Sequence, residues 1–157
     1  MIAVSNTSPL ILLDKANHLW VLGALFKKVV IADAVNKEWL RPGGYIVPDW
    51  LKVMPVPKEA IDLAKQLYQK VDAGEAEAIA LFSALKSDVL ILDDLNGRMQ
   101  AKNLGFPVVG TIGILTKAKQ RGIIEKLAPI LDLLKEHRFY IDDELKKSAL
   151  SLAQEDS

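Results

Sequence analysis

Apolar positions follow two rhythms along this 157-residue chain. Short unbroken apolar runs, the length of strands, alternate with longer stretches in which apolar residues return every three or four positions, as in amphipathic helices. Ile2-Ala3-Val4-Ser5 is the first run, followed by Asn6, Thr7, Ser8 and Pro9. Ser8 before Pro9 predicts a helix start: a hydroxyl to cap, then a residue with preset φ and no N–H to leave unpaired. Val29-Val30-Ile31 is the second run, after which Asp33 is expected to cap a short helix from Ala34 to about Leu40, closed by Arg41-Pro42-Gly43-Gly44. Leu51 to Val56 predicts a third, weaker strand. Ala60, Ile61, Ala64, Leu67, Tyr68 and Val71 predict a helix that Gly74 breaks, and a second helix of the pair runs from Glu75 to Leu85. Val89-Leu90-Ile91-Leu92 reads as a strand buried on both faces. A helix to Leu104, a strand at Pro107-Val108-Val109, a helix to about Gln120 and a mostly helical C-terminal part complete the chain, with Pro129 marking a helix start. The stretch from Asp143 to Ala153 is amphipathic through Leu145, Ala149 and Leu152, and is expected to pack on its own domain or on a second subunit.

Strands alternating with helices imply an α/β fold: a three-layer sandwich with a central, mainly parallel sheet. The length suits a single domain over residues 1–157, with about the last four residues expected to fray. At 50% hydrophobic residues the chain can bury a core without staples, and with no cysteine it has neither disulfides nor thiolate metal sites. Twenty basic and twenty acidic side chains leave no net charge, so any grip on nucleic acid must come from local patches. The N-terminus lacks the marks of a signal peptide, and no uncharged run approaches the ~20 residues of a membrane span. A soluble, cytoplasmic protein with no membrane partner is expected.

Ligands of open parallel sheets bind beyond the C-terminal ends of the strands, and this sorts the polar residues. Asn6 ends the first strand, Asp93 and Asp94 end the most buried one, and Glu38 lies a turn into the helix after Val29–Ile31. Glu75 and Glu77 fall in the first turns of the helix before Val89. Carboxylates gathered on one rim, ~4 Å apart, would repel by about 4 kcal/mol per pair at an effective dielectric of 20. Hard oxygen donors without His or Cys select Mg²⁺ or Mn²⁺, which can activate water and neutralise a phosphoryl oxygen. Taken singly, each acid also has a plainer role. Asp93-Asp94 can cap a helix, Glu75 and Glu77 can complement a helix dipole, and Glu38 can be a solvated face residue.

The stretches Val4-Ser5-Asn6-Thr7-Ser8-Pro9-Leu10-Ile11, Gly74-Glu75-Ala76-Glu77-Ala78-Ile79-Ala80-Leu81 and Leu90-Ile91-Leu92-Asp93-Asp94 with Arg98 carry a resemblance. Gly105-Phe106-Pro107-Val108-Val109-Gly110-Thr111 and Gly113-Ile114-Leu115 complete it. Together these motifs, in order along nearly the whole chain, resemble the PIN domains, in particular the small prokaryotic DUF3368 type. The resemblance implies an Mg²⁺- or Mn²⁺-dependent endoribonuclease acting on RNA, with the toxin of a toxin–antitoxin pair as one form, an antitoxin protein as partner, and a homo-oligomer. It places the family's acidic positions on Asn6, Glu38, Glu77 (Glu75 competing) and Asp94 with Asp93 beside it, and matches Thr7, Ser8 and Thr111 to polar positions on the rim. Asn6 departs from the family's acid and removes one formal charge. The alternative is therefore a weakly active or inactive PIN domain that binds RNA or protein. Arg98, one turn after Asp94, is the best candidate for an RNA-phosphate path with Lys102, Lys117, Lys119 and Arg121, although solvated helix faces explain these cations equally well. A receiver-like α/β domain is disfavoured, because its acid pair should come early and a Lys should follow a late strand. His18 and His137 read as surface or partly packed residues, and Trp20, Trp39 and Trp50 as packing.

Overall fold

Val4, Leu90 and Ile91 have no exposed surface, as residues of strands covered on both faces should. A computed structural model describes residues 1–44 and 46–155. Five strands form one sheet: β1 (Ile2–Ser5), β2 (Lys28–Ala32), β3 (Leu51–Met54), β4 (Val89–Ile91) and β5 (Val108–Val109). Their order is β3-β2-β1-β4-β5, and every pairing is parallel. Ser5 pairs in register with Ile91, and Ile91 with Val109, so β1, β4 and β5 end side by side.

The helices are α1 (Thr7–Lys15), α2 (Trp20–Leu25), α3 (Asp33–Val35), α4 (Arg41–Gly43), α5 (Ile61–Leu67), α6 (Ala73–Leu85), α7 (Leu95–Asn103), α8 (Thr111–Gln120), α9 (Ala128–Glu136) and α10 (Asp143–Leu152). The sheet's side chains divide between two cores. Ala3, Val29, Ile31 and Ile91 join Leu10, Leu22, Leu115 and Leu131 from α1, α2, α8 and α9. Val4, Val30 and Leu90 join Leu67, Ile79, Phe82 and Ala101 from α5, α6 and α7. This is the expected α/β sandwich. Among the described residues no helix is long and apolar enough to cross a membrane.

The structure differs from the expected boundaries in ways that shape the rim. The helix α1 starts at Thr7, and Ser8 and Pro9 lie within its first turn. Asn6 takes the cap position, because its own N–H still donates to Ile91 O at 3.0 Å and the chain turns straight from strand into helix. Gly74 does not separate two helices. Asp72 caps α6, accepting from Glu75 N at 2.8 Å, and Gly74 lies inside the first turn. Beyond β2, Asp33 is already helical, and α3 continues through a π-helical turn, Asn36–Leu40, that carries Glu38. On α10 only Ala149 is buried, against α8, while Leu145 and Leu152 are exposed. At the C-terminus the Glu155 carboxylate accepts from Leu127 N at 2.5 Å and Ala128 N at 3.1 Å and pairs with Lys119 at 3.4 Å. Of the other residues expected to fray, Gln154 precedes it with positive φ; Asp156 and Ser157 lie outside the described residues.

Candidate active site

All strands point one way, so the polar groups at their C-terminal ends share a rim. Asn6 follows β1, is only 4% exposed, and its Oδ1 has no hydrogen-bond partner. Thr7 donates its hydroxyl to Glu38 Oε2 at 2.6 Å, which orients that carboxylate while leaving Glu38 open to solvent. Gly74 backs onto both groups. A methyl placed there would stand 2.9 Å from Glu38 Oε2 and 3.0 Å from Asn6 Oδ1. Glycine is what lets α6 approach so closely.

The next residue of α6 opens the second half of the site. Glu75 is 5% exposed and its Oε2 has no donor. Burial is the main reason its pKa is pushed up to about 8; the carboxylates of Asp72 and then Asp94 add to it. Asp94 follows β4, caps α7 by accepting from Gly97 N at 3.1 Å, and remains exposed. A β-carbon on Gly97 would run into Glu75 Oε2.

The other acids are already engaged. Asp93 accepts from Thr111 N at 2.7 Å and from Thr111 Oγ1 at 2.5 Å. Burial raises its pKa, against the opposing effect of the Thr111 hydrogen bonds and the nearby Arg98 charge. Arg98 itself donates to Leu92 O at 3.3 Å. Glu77 accepts from Ala34 N at 3.0 Å and from the Tyr68 hydroxyl at 2.5 Å. Burial, with Glu77 as acceptor, pushes Tyr68 up to about 12. Glu77 thus braces α3 against α6, whereas Glu75 points toward Asp94.

The structure therefore brings Asn6, Thr7 and Glu38 together on one side of the first turn of α6, and Asp72, Glu75 and Asp94 on the other. It keeps Asp93, Arg98 and Thr111 in a separate network and draws Glu77 toward Tyr68. Ser8 is exposed beside Asp94, where both border one cavity. Sequence reasoning passed over Asp72, although Asp72-Ala-Gly-Glu75 has the spacing of a capping box. It also passed over Tyr68 as a partner for Glu77. A helical stripe through Glu75, Ala78, Ile79 and Phe82, all buried, was available to separate Glu75 from Glu77.

A parallel α/β sandwich with an oxygen-rich, acidic rim at its strand ends belongs to the class of open α/β folds whose ligands bind beyond the carboxyl ends of the strands. Within that class the family is specific. A family profile, DUF3368, a PIN domain, matches residues 2–155, and the chain belongs to this family. No curated protein matches the chain. PIN domains are nucleases that generally use divalent metals. The donor set here suits a hard divalent cation: oxygen only, with two buried oxygens, Asn6 Oδ1 and Glu75 Oε2, lacking partners. Among the described residues, however, no three His, Cys, Asp or Glu side chains stand at the spacing for one ion.

Proposed function

We propose that this rim is the site of a divalent-metal-dependent endoribonuclease, with Asn6, Glu38, Glu75 and Asp94 as the oxygen donors that a bound Mg²⁺ or Mn²⁺ would draw together. Glu77 is the alternative third acid, but both its oxygens already accept hydrogen bonds. The observation that carries the proposal is the pair of buried, unpartnered oxygens on Asn6 and Glu75, flanked by the exposed carboxylates of Glu38 and Asp94. A bound divalent ion supplies Lewis acidity toward a phosphoryl oxygen. The chain's own residues supply charge and orientation. Thr7 fixes one Glu38 oxygen. Thr111 and Arg98 hold Asp93 apart, so that its charge does not add to the repulsion at the rim.

The test is cleavage of a short RNA with Mn²⁺ by wild type and by a Glu38→Gln, Asp94→Asn double variant. Wild-type cleavage with at least a hundredfold loss in the variant supports the proposal; equal cleavage by both refutes it. A second reading, a PIN domain that binds RNA or protein without cutting, is favoured by Asn6, whose amide leaves the rim one charge short. Calorimetric titration with Mn²⁺ separates the two, since tight binding contradicts the second. A toxin role would add an antitoxin partner. The surface that fits one is an apolar groove of about 940 Å³ between β5, α8 and α10, flanked by Lys102, Lys117 and Arg121. Those cations favour an acidic amphipathic segment over a second copy of the chain, which would bring like charges together under two-fold symmetry.

A further inference from the structure

Beside the acidic rim, and sharing Asp94 with it, lies a cavity of about 460 Å³. It is lined by Asp93 and Asp94, by Ser8 from the first turn of α1, by the loop residues His137, Arg138 and Phe139, and by Ile11, Leu12 and Leu95. Its size falls in the range of ~300–1,000 Å³ typical of small-ligand pockets.

The loop is held by its own backbone. Phe139 N donates to Leu134 O at 3.0 Å and Arg138 N to Lys135 O at 2.9 Å, with Arg138 at φ +66°. This is the double bond pattern that closes a helix at a left-handed residue, and it fixes where Arg138 leaves the chain. Among the described residues no carboxylate lies within ion-pairing distance of Arg138. A guanidinium, an imidazole and a hydroxyl are the groups that recognise a phosphate. A half-buried aromatic ring and aliphatic side chains are what a nucleobase stacks on. Residues carrying both sets line one cavity, together with Asp94. An acidic peptide would use the cations but leave the aromatic wall unmatched.

We propose that this cavity is a nucleotide subsite: it takes the phosphate and base of the RNA residue next to the bond being cut, with Arg138, His137 and Ser8 on the phosphate and Phe139 against the base. The inference rests on the nuclease reading for what passes the rim. It is tested with Arg138→Gly, which removes the cation while easing the left-handed backbone, and with His137→Ala as a second variant. Two quantities are measured: KM and kcat for Mn²⁺-dependent cleavage of a fluorescent hexaribonucleotide, and Kd for the same RNA in EDTA. For Arg138→Gly, KM and Kd each rise about tenfold, as expected for one charge-assisted contact, and kcat stays within about twofold. Cleavage with unchanged KM and Kd in both variants overturns the subsite and leaves the nuclease reading standing. No wild-type cleavage, but Arg138-dependent RNA binding, overturns the nuclease reading and supports the subsite. Absence of both cleavage and binding overturns both.

Discussion

Replacing Glu75 by Gln removes the proton that the folded site holds. In the unfolded chain Glu75 ionises near its ordinary 4.5, whereas in the fold it keeps its proton up to about 8. Between these values the native state binds more protons than the unfolded state, so stability falls as pH rises through that window. At 1.36 kcal/mol per pH unit, a gap of about 3.5 units sets a ceiling of roughly 5 kcal/mol. Asp72 and Asp94 are exposed, and solvent screening at the rim takes away part of this, leaving about 2–3 kcal/mol. The Gln side chain keeps the shape, carries no charge at any pH, and can donate N–H to the neighbouring carboxylates. In urea denaturation with EDTA, the two proteins should agree within about 1 kcal/mol near pH 5.5. By about pH 8.5 the variant should be the more stable by about 2–3 kcal/mol. Mn²⁺ at a hundredfold excess over the wild-type Kd should then stabilise the wild type by about 2.7 kcal/mol and the variant by about 1.4 kcal/mol or less. Parallel pH profiles for the two proteins in EDTA would refute the reasoning, because Glu75 would then be titrating normally.

Gly74→Ala pushes a methyl against the Glu38 carboxylate that Thr7 holds; stability should change by only about 1 kcal/mol, as helix propensity offsets crowding, while RNA cleavage falls at least tenfold. Glu77→Ala removes acceptors from Ala34 N and Tyr68 and should cost about 1–3 kcal/mol in a denaturant melt. The corresponding Glu77→Gln should keep Mn²⁺ affinity within about twofold while Glu75→Gln loses at least tenfold; the reverse order in calorimetry would make Glu77 the ligand. Asn6→Asp should raise Mn²⁺ affinity about tenfold or more and, in EDTA, lower the melting temperature, because a buried carboxylate then faces Glu38 with no donor. A variant that is more stable in EDTA would show that Asn6 does not face the acid cluster.

Much of this was legible in the sequence, for identifiable reasons. A strand covered on both faces must be apolar throughout, so Val89–Leu92 announced an interior strand of a parallel sheet, and strand polarity then assigned Asn6, Asp93 and Asp94 to one rim, to which the family resemblance added Thr111. What pattern could not show was direction at the scale of a side chain. Asp93 and Asp94 are adjacent in sequence, yet one turns back to Thr111 and the other caps α7. The start of α1 at Thr7 depends on a ladder bond from Asn6 to β4, a contact across 85 residues that no local signal carries. Gly74 looked like a helix breaker because local propensity cannot reveal that Glu38, 36 residues earlier, lies against it.

The rim gathers far more acid than cation, and the fold accommodates each charge in a different way. Thr111 and Arg98 satisfy Asp93, and Tyr68 and a backbone N–H satisfy Glu77. Asp72 and Asp94 each cap a helix N-terminus, where a carboxylate is favoured. Glu75 holds a proton near neutral pH, and Asn6 carries no charge at all. Glu38, Asp72 and Asp94 are exposed, and Glu38 and Asp94 stand beside buried oxygens that have no hydrogen-bond partner. A polar atom buried without a partner costs free energy that packing elsewhere must offset. On the function proposed above, these two atoms at one sheet edge are what a bound divalent cation would satisfy.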